Sequence, residues 1–256
     1  MSKIAAESLV PLDLFEEIFP IQIDLAYKKP APANIFGILY RPEARLWLCE
    51  PLAKVVLLAS AYATAKGMKL ILYDGLRTTE AQKRMVECPI VSKNPQWLQE
   101  PGRLISPPGA GGHPRGMAID MTIAHHDGTP VDMGTDFDFL SPKSDARSNA
   151  AHRQYARMED HVRENRRILD EAVDSAAMAL RTDIVFLPEE WWDFRFDADM
   201  IKRHSPLSDA DVPPQMRMTD EVPESAGRRD LPEEHFKTMQ KRIVTDLEPL
   251  IAKIKR

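Results

Sequence analysis

Four short stretches of this 256-residue chain gather side chains suited to metal or hydrolytic chemistry. The first is Gly112-His113-Pro114-Arg115-Gly116-Met117-Ala118-Ile119-Asp120. A neutral imidazole and a carboxylate are typical zinc ligands, and Gly111, Gly112 and Gly116 permit the tight backbone that brings His113 and Asp120 together. The second, Pro188-Glu189-Glu190-Trp191-Trp192-Asp193-Phe194-Arg195-Phe196, sets acids around a tryptophan pair in apolar surroundings. Buried carboxylates are rarely tolerated without a partner charge or a metal. In strict strand geometry Glu190 and Asp193 face opposite sides, so both reach one site only if a bulge or sharp turn lies between them. The third, Leu72-Tyr73-Asp74-Gly75-Leu76-Arg77, ends in a turn that presents a guanidinium, suited to an oxyanion or a substrate carboxylate. The fourth, Asp132-Met133-Gly134-Thr135-Asp136-Phe137-Asp138-Phe139, alternates acids with hydrophobes and suits a peptide amino terminus or a cation. Each also has a plain reading: a loop histidine, solvated edge acids, a surface arginine, an exposed turn.

The elements that must hold these residues are readable from spacing. Apolar residues recur at helical intervals from Leu46 to Lys66, and Gly67 supplies a stop. Met68–Tyr73 reads as a strand, and Thr78-Thr79-Glu80-Ala81-Gln82 as a capped helix start. Residues 88–112, rich in Pro and Gly, read as loop. Met117–Ala124 is the cleanest strand: Met117, Ile119, Met121 and Ile123 point into a core, and Ala118, Asp120, Thr122 and Ala124 form a small, polar opposite face. A helical pattern spans Asn149–Leu180, with strands expected at Asp183–Leu187 and Trp192–Phe196. Residues 205–231 read as a linker or surface-draped segment. Helical spacing returns over 232–255, where Pro249 is expected to kink or break the helix.

Composition bounds the alternatives. Hydrophobic residues are 43% and charged residues 29%, an ordinary globular balance. A net charge of -5 gives no reason to expect a nucleic-acid partner. Cys49 and Cys88 alone make neither a disulfide framework nor a zinc knuckle. The first residues lack a signal-peptide pattern, and the most apolar run, Val55–Ala65, is too short to span a bilayer. A cytoplasmic protein with no membrane partner is expected.

Taken together, D-G-x-R, H-x-R-G-x-A-x-D, D-M-G-x-x-F-D and E-W-W-x-F, in this order over roughly residues 70–197, resemble the D-alanyl-D-alanine dipeptidases of the VanX type. Asn165-Arg166-Arg167-Ile168-Leu169 also looks like that family's N-R-x-x-L helix. The resemblance implies an α+β fold: a compact single domain around an antiparallel sheet with flanking helices, the zinc-peptidase (hedgehog/D-Ala-D-Ala peptidase-like) fold. This domain is placed at residues 1–204, and 205–256 form a proline-containing linker and C-terminal helical extension, a candidate contact for a second subunit. The resemblance further implies one Zn2+ per chain on His113 and Asp120, Glu190 as general base, Arg77 as transition-state stabiliser, and Asp138 as acceptor of the substrate's amino group.

Two positions depart from the pattern. Asp193 stands where the family has a third histidine ligand, and Gly111 stands where it has a substrate-binding serine. Aspartate is a legitimate ligand, but a His, Asp, Asp set neutralises a dication where His, Asp, His leaves one positive charge. If Asp193 faces away instead, His125 and His126 are the nearest substitutes. The expected activity is hydrolysis of D-alanyl-D-alanine or a similar small dipeptide. A cell-wall D,D-carboxypeptidase or endopeptidase and a catalytically silent binding module of the same fold are the alternatives.

Overall fold

Five short strands make the central sheet of the computed structural model, which describes residues 1–100, 103–223 and 229–254. They are β1 (Ile21–Ile23), β2 (Lys69–Asp74), β3 (Ala118–Ala124), β4 (Val185–Phe186) and β5 (Asp193–Arg195). Their order across the sheet is β1-β2-β3-β5-β4. All neighbours run antiparallel except β1, which lies parallel to β2 at one edge. Every residue of β3 is buried, because it sits mid-sheet with both faces covered. The flanking helices are α1 (Glu50–Ala65), α2 (Thr79–Glu87), α3 (Asp160–Leu180) and α4 (Glu233–Ile254). Helices α1 and α3 pack against each other and contact β2 and β3 respectively. The result is the α+β arrangement expected from the motifs. Among the described residues no helix is long and apolar enough to cross a membrane.

Differences from the sequence expectations have local causes. Trp47–Cys49, inside the stretch with helical spacing, is extended because it pairs antiparallel with Leu9–Pro11, a partner that periodicity cannot reveal. Helix α2 starts where expected, but Thr78 makes no side-chain capping bond. Helix α3 begins only at Asp160; residues 149–153 instead form a loop that braces the β4–β5 turn. Residues 205–223 are not merely draped over the surface. Leu207, Val212, Met216 and Met218 are buried, and Asp209 accepts bonds from the Met218 and Thr219 amides at 2.7 and 3.1 Å. Helix α4 runs unbroken through Pro249. Pro249 and Thr245, whose carbonyl loses its helical partner, are both exposed, on the side of the helix where that loss costs least. Phe236, Met239, Ile243 and Leu247 are buried on the domain, where α4 packs against α1.

Candidate metal centre

The register of the three central strands lines up three aspartates. Asp74 on β2 lies opposite Asp120 on β3, and Asp120 lies opposite Asp193 on β5. All three are buried. Like charges directly opposite one another destabilise a sheet, and buried carboxylates need partners. Three cationic or imidazole side chains answer this row. Arg77 donates to Asp74 Oδ2 through Nε at 2.9 Å and Nη2 at 2.6 Å, and its Nη2 stands 3.6 Å from Asp120. Arg195 grips both oxygens of Asp193, with Nε 2.6 Å from Oδ1 and Nη2 on Oδ2. His113 Nε2 faces Asp120 Oδ2 at 3.5 Å and Asp193 Oδ2 at 3.4 Å.

The glycine-rich approach fixes His113. Gly111 and Gly116 have φ of +82° and +61°, in the left-handed region open to glycine. Arg115 ties the preceding loop, donating from Nη1 to the carbonyls of Gly109 and Gly111 at 2.9 and 2.8 Å. His113 Nδ1 lies 2.8 Å from the Gly75 carbonyl. A carbonyl only accepts, so Nδ1 donates, and Nε2 is the nitrogen turned toward the carboxylates, where it offers a lone pair once the ring is neutral. With the protein alone, burial works against a charged ring, but Asp120 outweighs it and pushes the His113 pKa up to about 10.

Glu190 joins this group through the sharp turn that the spacing required. The chain turns between Phe186 and Asp193, with the Glu190 amide on the Leu187 carbonyl and the Asp193 amide on the Glu190 carbonyl, both at 3.4 Å. The brace is the 149–153 loop: Asn149 Nδ2 donates to the Glu189 carbonyl at 2.7 Å, and the Trp191 amide donates to Ala151 at 3.1 Å. Burial, then repulsion from Asp193 and Asp120, pushes the Glu190 carboxyl far above its ordinary range. Burial also raises Asp120, against the opposing pull of His113. It works against ionisation of Asp193 too, but Arg195 and the hydrogen bonds from His113 and Arg195 outweigh it and hold that carboxyl well below the usual range.

These side chains line one cavity of about 190 Å3, together with Tyr27, Gly111, Ser106, Asp138 and Trp192. Asp138 is buried with φ of +61°, a conformation uncommon for a residue with a side chain. Tyr27 Oη donates to its Oδ1 at 3.1 Å, and among the described residues its Oδ2 has no hydrogen-bond partner. Burial, then repulsion from Asp120, raises its pKa to about 8. The Arg77 guanidinium stacks over the Tyr27 ring, 5.0 Å from its centroid.

The structure thus brings His113, Asp120, Asp193, Glu190, Arg77, Asp138 and Gly111 to one cavity. Asp193 faces inward, and His125 and His126 are exposed beyond the far end of β3. Asp132 and Asp136, also in the fourth motif, do not line the cavity. Sequence reasoning did not single out Arg195, Asp74, Tyr40 or Ser106. The period of two along β5 placed Arg195 on the face of Asp193 and was the available signal. Tyr40 Oη donates to Asp74 Oδ1. Ser106 Oγ lies 3.4 Å from where a Cβ on Gly111 would stand, so a hydroxyl reaches that spot from another part of the chain.

The donors fit a divalent ion. Asp74, His113 and Asp120 form a group whose ligand atoms lie within 4.8 Å of one another. Asp74, however, faces Nδ1, which the Gly75 carbonyl occupies, and Tyr40 and Arg77 hold its oxygens. Asp193 shares with Asp120 the side of Nε2, the nitrogen that the Gly75 carbonyl leaves free. Asp120 Oδ1 is buried with no hydrogen-bond partner among the described residues, as an atom left for a cation would be.

A buried imidazole–carboxylate cluster with a further carboxylate and an arginine around a small cavity is a layout that could hold a metal ion and serve hydrolysis. The chain belongs to the M15 peptidase family, D-ala-D-ala dipeptidase, which it matches over residues 7–209, and is a peptide hydrolase. It is 27% identical over 179 residues to the D-alanyl-D-alanine dipeptidase of Escherichia coli (strain K12), an alignment covering 69% of this chain and 80% of that protein.

Proposed function

We propose that this protein is a zinc-dependent dipeptidase that hydrolyses D-alanyl-D-alanine or a similarly small dipeptide. The observation that carries this reading is the convergence of His113 Nε2, Asp120 and Asp193 on one side of a cavity that also holds Glu190, Arg77 and Asp138. His113, Asp120 and Asp193 would hold one Zn2+, an ion that accepts this mixed nitrogen and oxygen set. When bound, the ion supplies Lewis acidity toward the scissile carbonyl and toward water.

The remaining chemistry belongs to the chain. Asp138 Oδ2, without a hydrogen-bond partner among the described residues, receives the substrate ammonium and sets the distance from amino terminus to scissile bond. Arg77, held by Asp74 and Tyr27, directs its guanidinium at the oxyanion that forms on the carbonyl. Glu190 takes a proton from water as the C–O bond forms, and delivers it to the leaving nitrogen as the C–N bond breaks. Its raised proton affinity suits it to hold that proton between the two steps. Ser106 supplies the hydroxyl that Gly111 lacks.

The cavity, about 190 Å3, is smaller than the about 300–1,000 Å3 of sites for drug-sized ligands, which favours a dipeptide over a longer cell-wall peptide. The free thiols of Cys49 and Cys88 suit a reducing compartment and support a cytoplasmic place. Hydrolysis assays with zinc-replete protein should give turnover of D-alanyl-D-alanine and none of pentapeptide precursors. Preferential cleavage of the pentapeptide would contradict the dipeptidase reading.

A further inference from the structure

The two departures from the family motif, Asp193 and Gly111, meet at Arg195. Asp193 and Arg195 are two apart on β5 and so project from the same face, while Phe194 between them is buried on the other. The guanidinium fork spans both carboxylate oxygens. Small residues frame it. Ala118 is opposite Arg195 in the β3–β5 register, and a Cβ on Gly111 would stand 3.8 Å from Arg195 Nη1. A serine at position 111 would extend further, into the space beside Arg195 and Ser106.

Charge gives the pair its meaning. Neutral His113 with ionised Asp120 and Asp193 would cancel a dication, and Glu190 would then make the surroundings negative. Arg195 adds one positive charge in direct contact with Asp193, so that the pair is neutral as a whole, as a histidine ligand is. With a dication present, His113, Asp120 and the Asp193–Arg195 pair together leave one net positive charge, as a His, Asp, His set would, and an ionised Glu190 then brings the surroundings to neutral rather than negative.

We propose that Asp193 and Arg195 act as one composite third ligand, Asp193 lending Oδ2 to the metal while Arg195 cancels its charge. This rests on the metallopeptidase reading above. It makes Arg195 a charge-balancing partner whose removal and whose isolation have opposite effects. Without Arg195, Asp193 is a full anion and holds zinc more tightly. With Asp193 replaced by histidine, Arg195 is an uncompensated cation beside a dication and zinc is held more weakly.

The test is a zinc titration of the full chain against a competing fluorescent chelator, with folding of each metal-free variant checked by circular dichroism. Arg195→Gln should tighten zinc binding, and Asp193→His should weaken it, each by at least about tenfold, given the strength of a charge–charge interaction at contact distance in a protein interior. The double variant Asp193→His/Arg195→Gln should return to within a few-fold of the wild type. Should Arg195→Gln fail to fold because Asp193 is left unpaired, the comparison of Asp193→His with the double variant decides: the double must bind at least about tenfold tighter. Equal affinity in that comparison, or single variants that shift in the same direction, overturns the proposal. Wild-type protein that binds zinc and cleaves D-alanyl-D-alanine, but whose zinc affinity Arg195→Gln leaves unmoved, overturns this inference alone. Wild-type protein that takes up no zinc, while Arg195→Gln does, overturns the zinc-dependent reading with it, because Arg195 then occupies the place of the ion.

Discussion

Asp138→Asn should make the metal-free protein more stable and the enzyme worse. Asp138 is buried at positive φ, with one oxygen bonded to Tyr27 and the other without a hydrogen-bond partner among the described residues. Asparagine keeps the shape, the Tyr27 bond and tolerance of the left-handed backbone. What it removes is an acid whose pKa the fold raises to about 8, first by burial and then by repulsion from Asp120. An ordinary aspartate in the unfolded chain titrates near 3.9. Between those values the unfolded state has released a proton that the folded state retains, so stability falls as pH rises from about 4 to about 8. At pH 7 about three decades of proton affinity are involved, each worth about 1.4 kcal/mol, for an upper bound of about 4 kcal/mol. In a chain of this size 1 kcal/mol moves the melting midpoint by about 2–4 °C, so even half the bound is readily measured. Thermal unfolding of metal-free wild type and variant should coincide near pH 4 and diverge toward pH 8, the variant melting higher. With zinc restored, the variant should lose about ten- to a hundredfold in kcat/KM for D-alanyl-D-alanine, mainly through KM, since a charge-assisted bond to the ammonium is gone. N-acetylated dipeptide, which has no ammonium, should not distinguish the two proteins. A variant no more stable at pH 8, or a gap that does not widen with pH, would refute the assignment of Asp138 as a strained, substrate-facing acid.

Three other outcomes follow from the same geometry. Glu190→Gln should lower kcat by about 10²–10⁴ while zinc content, measured by mass spectrometry, stays unchanged, because Glu190 moves the proton and is not a ligand. Gly111→Ser places a side chain at φ of +82°, 3.4 Å from Ser106 Oγ; it should cost about 1–2 kcal/mol in chemical unfolding rather than improve substrate binding. Ile243→Ala, in the buried stripe by which α4 packs on the domain, should cost about 2–5 kcal/mol in the same assay and leave kcat/KM unaltered, since Ile243 is not among the residues around the cavity.

The sequence made the site more legible than the fold. Strict alternation along β3 put Asp120 on the polar face, and the D-G turn gave Arg77 its place, because period and turn chemistry are local. Glu190 and Asp193 needed a turn between them, and Pro188–Trp192 contains it, but long-range bonds to Asn149, Ala151 and Arg153 brace it there. The row Asp74-Asp120-Asp193 was invisible, since it depends on strand register, which no single segment encodes. Arg195 could have been placed beside Asp193 by strand period, and its charge belongs in any count of the His, Asp, Asp set. The extended Trp47–Cys49 segment and the late start of α3 escaped for the same reason as the aspartate row. Partners distant in sequence overrode local spacing.

The most direct test of the central claim is the metal content of the purified, folded chain measured alongside its hydrolysis of D-alanyl-D-alanine. About one zinc per chain, with turnover abolished by a chelator and restored by zinc, is the predicted result. Protein that stays metal-free in excess zinc, or that cleaves the dipeptide equally well after chelation, would contradict it.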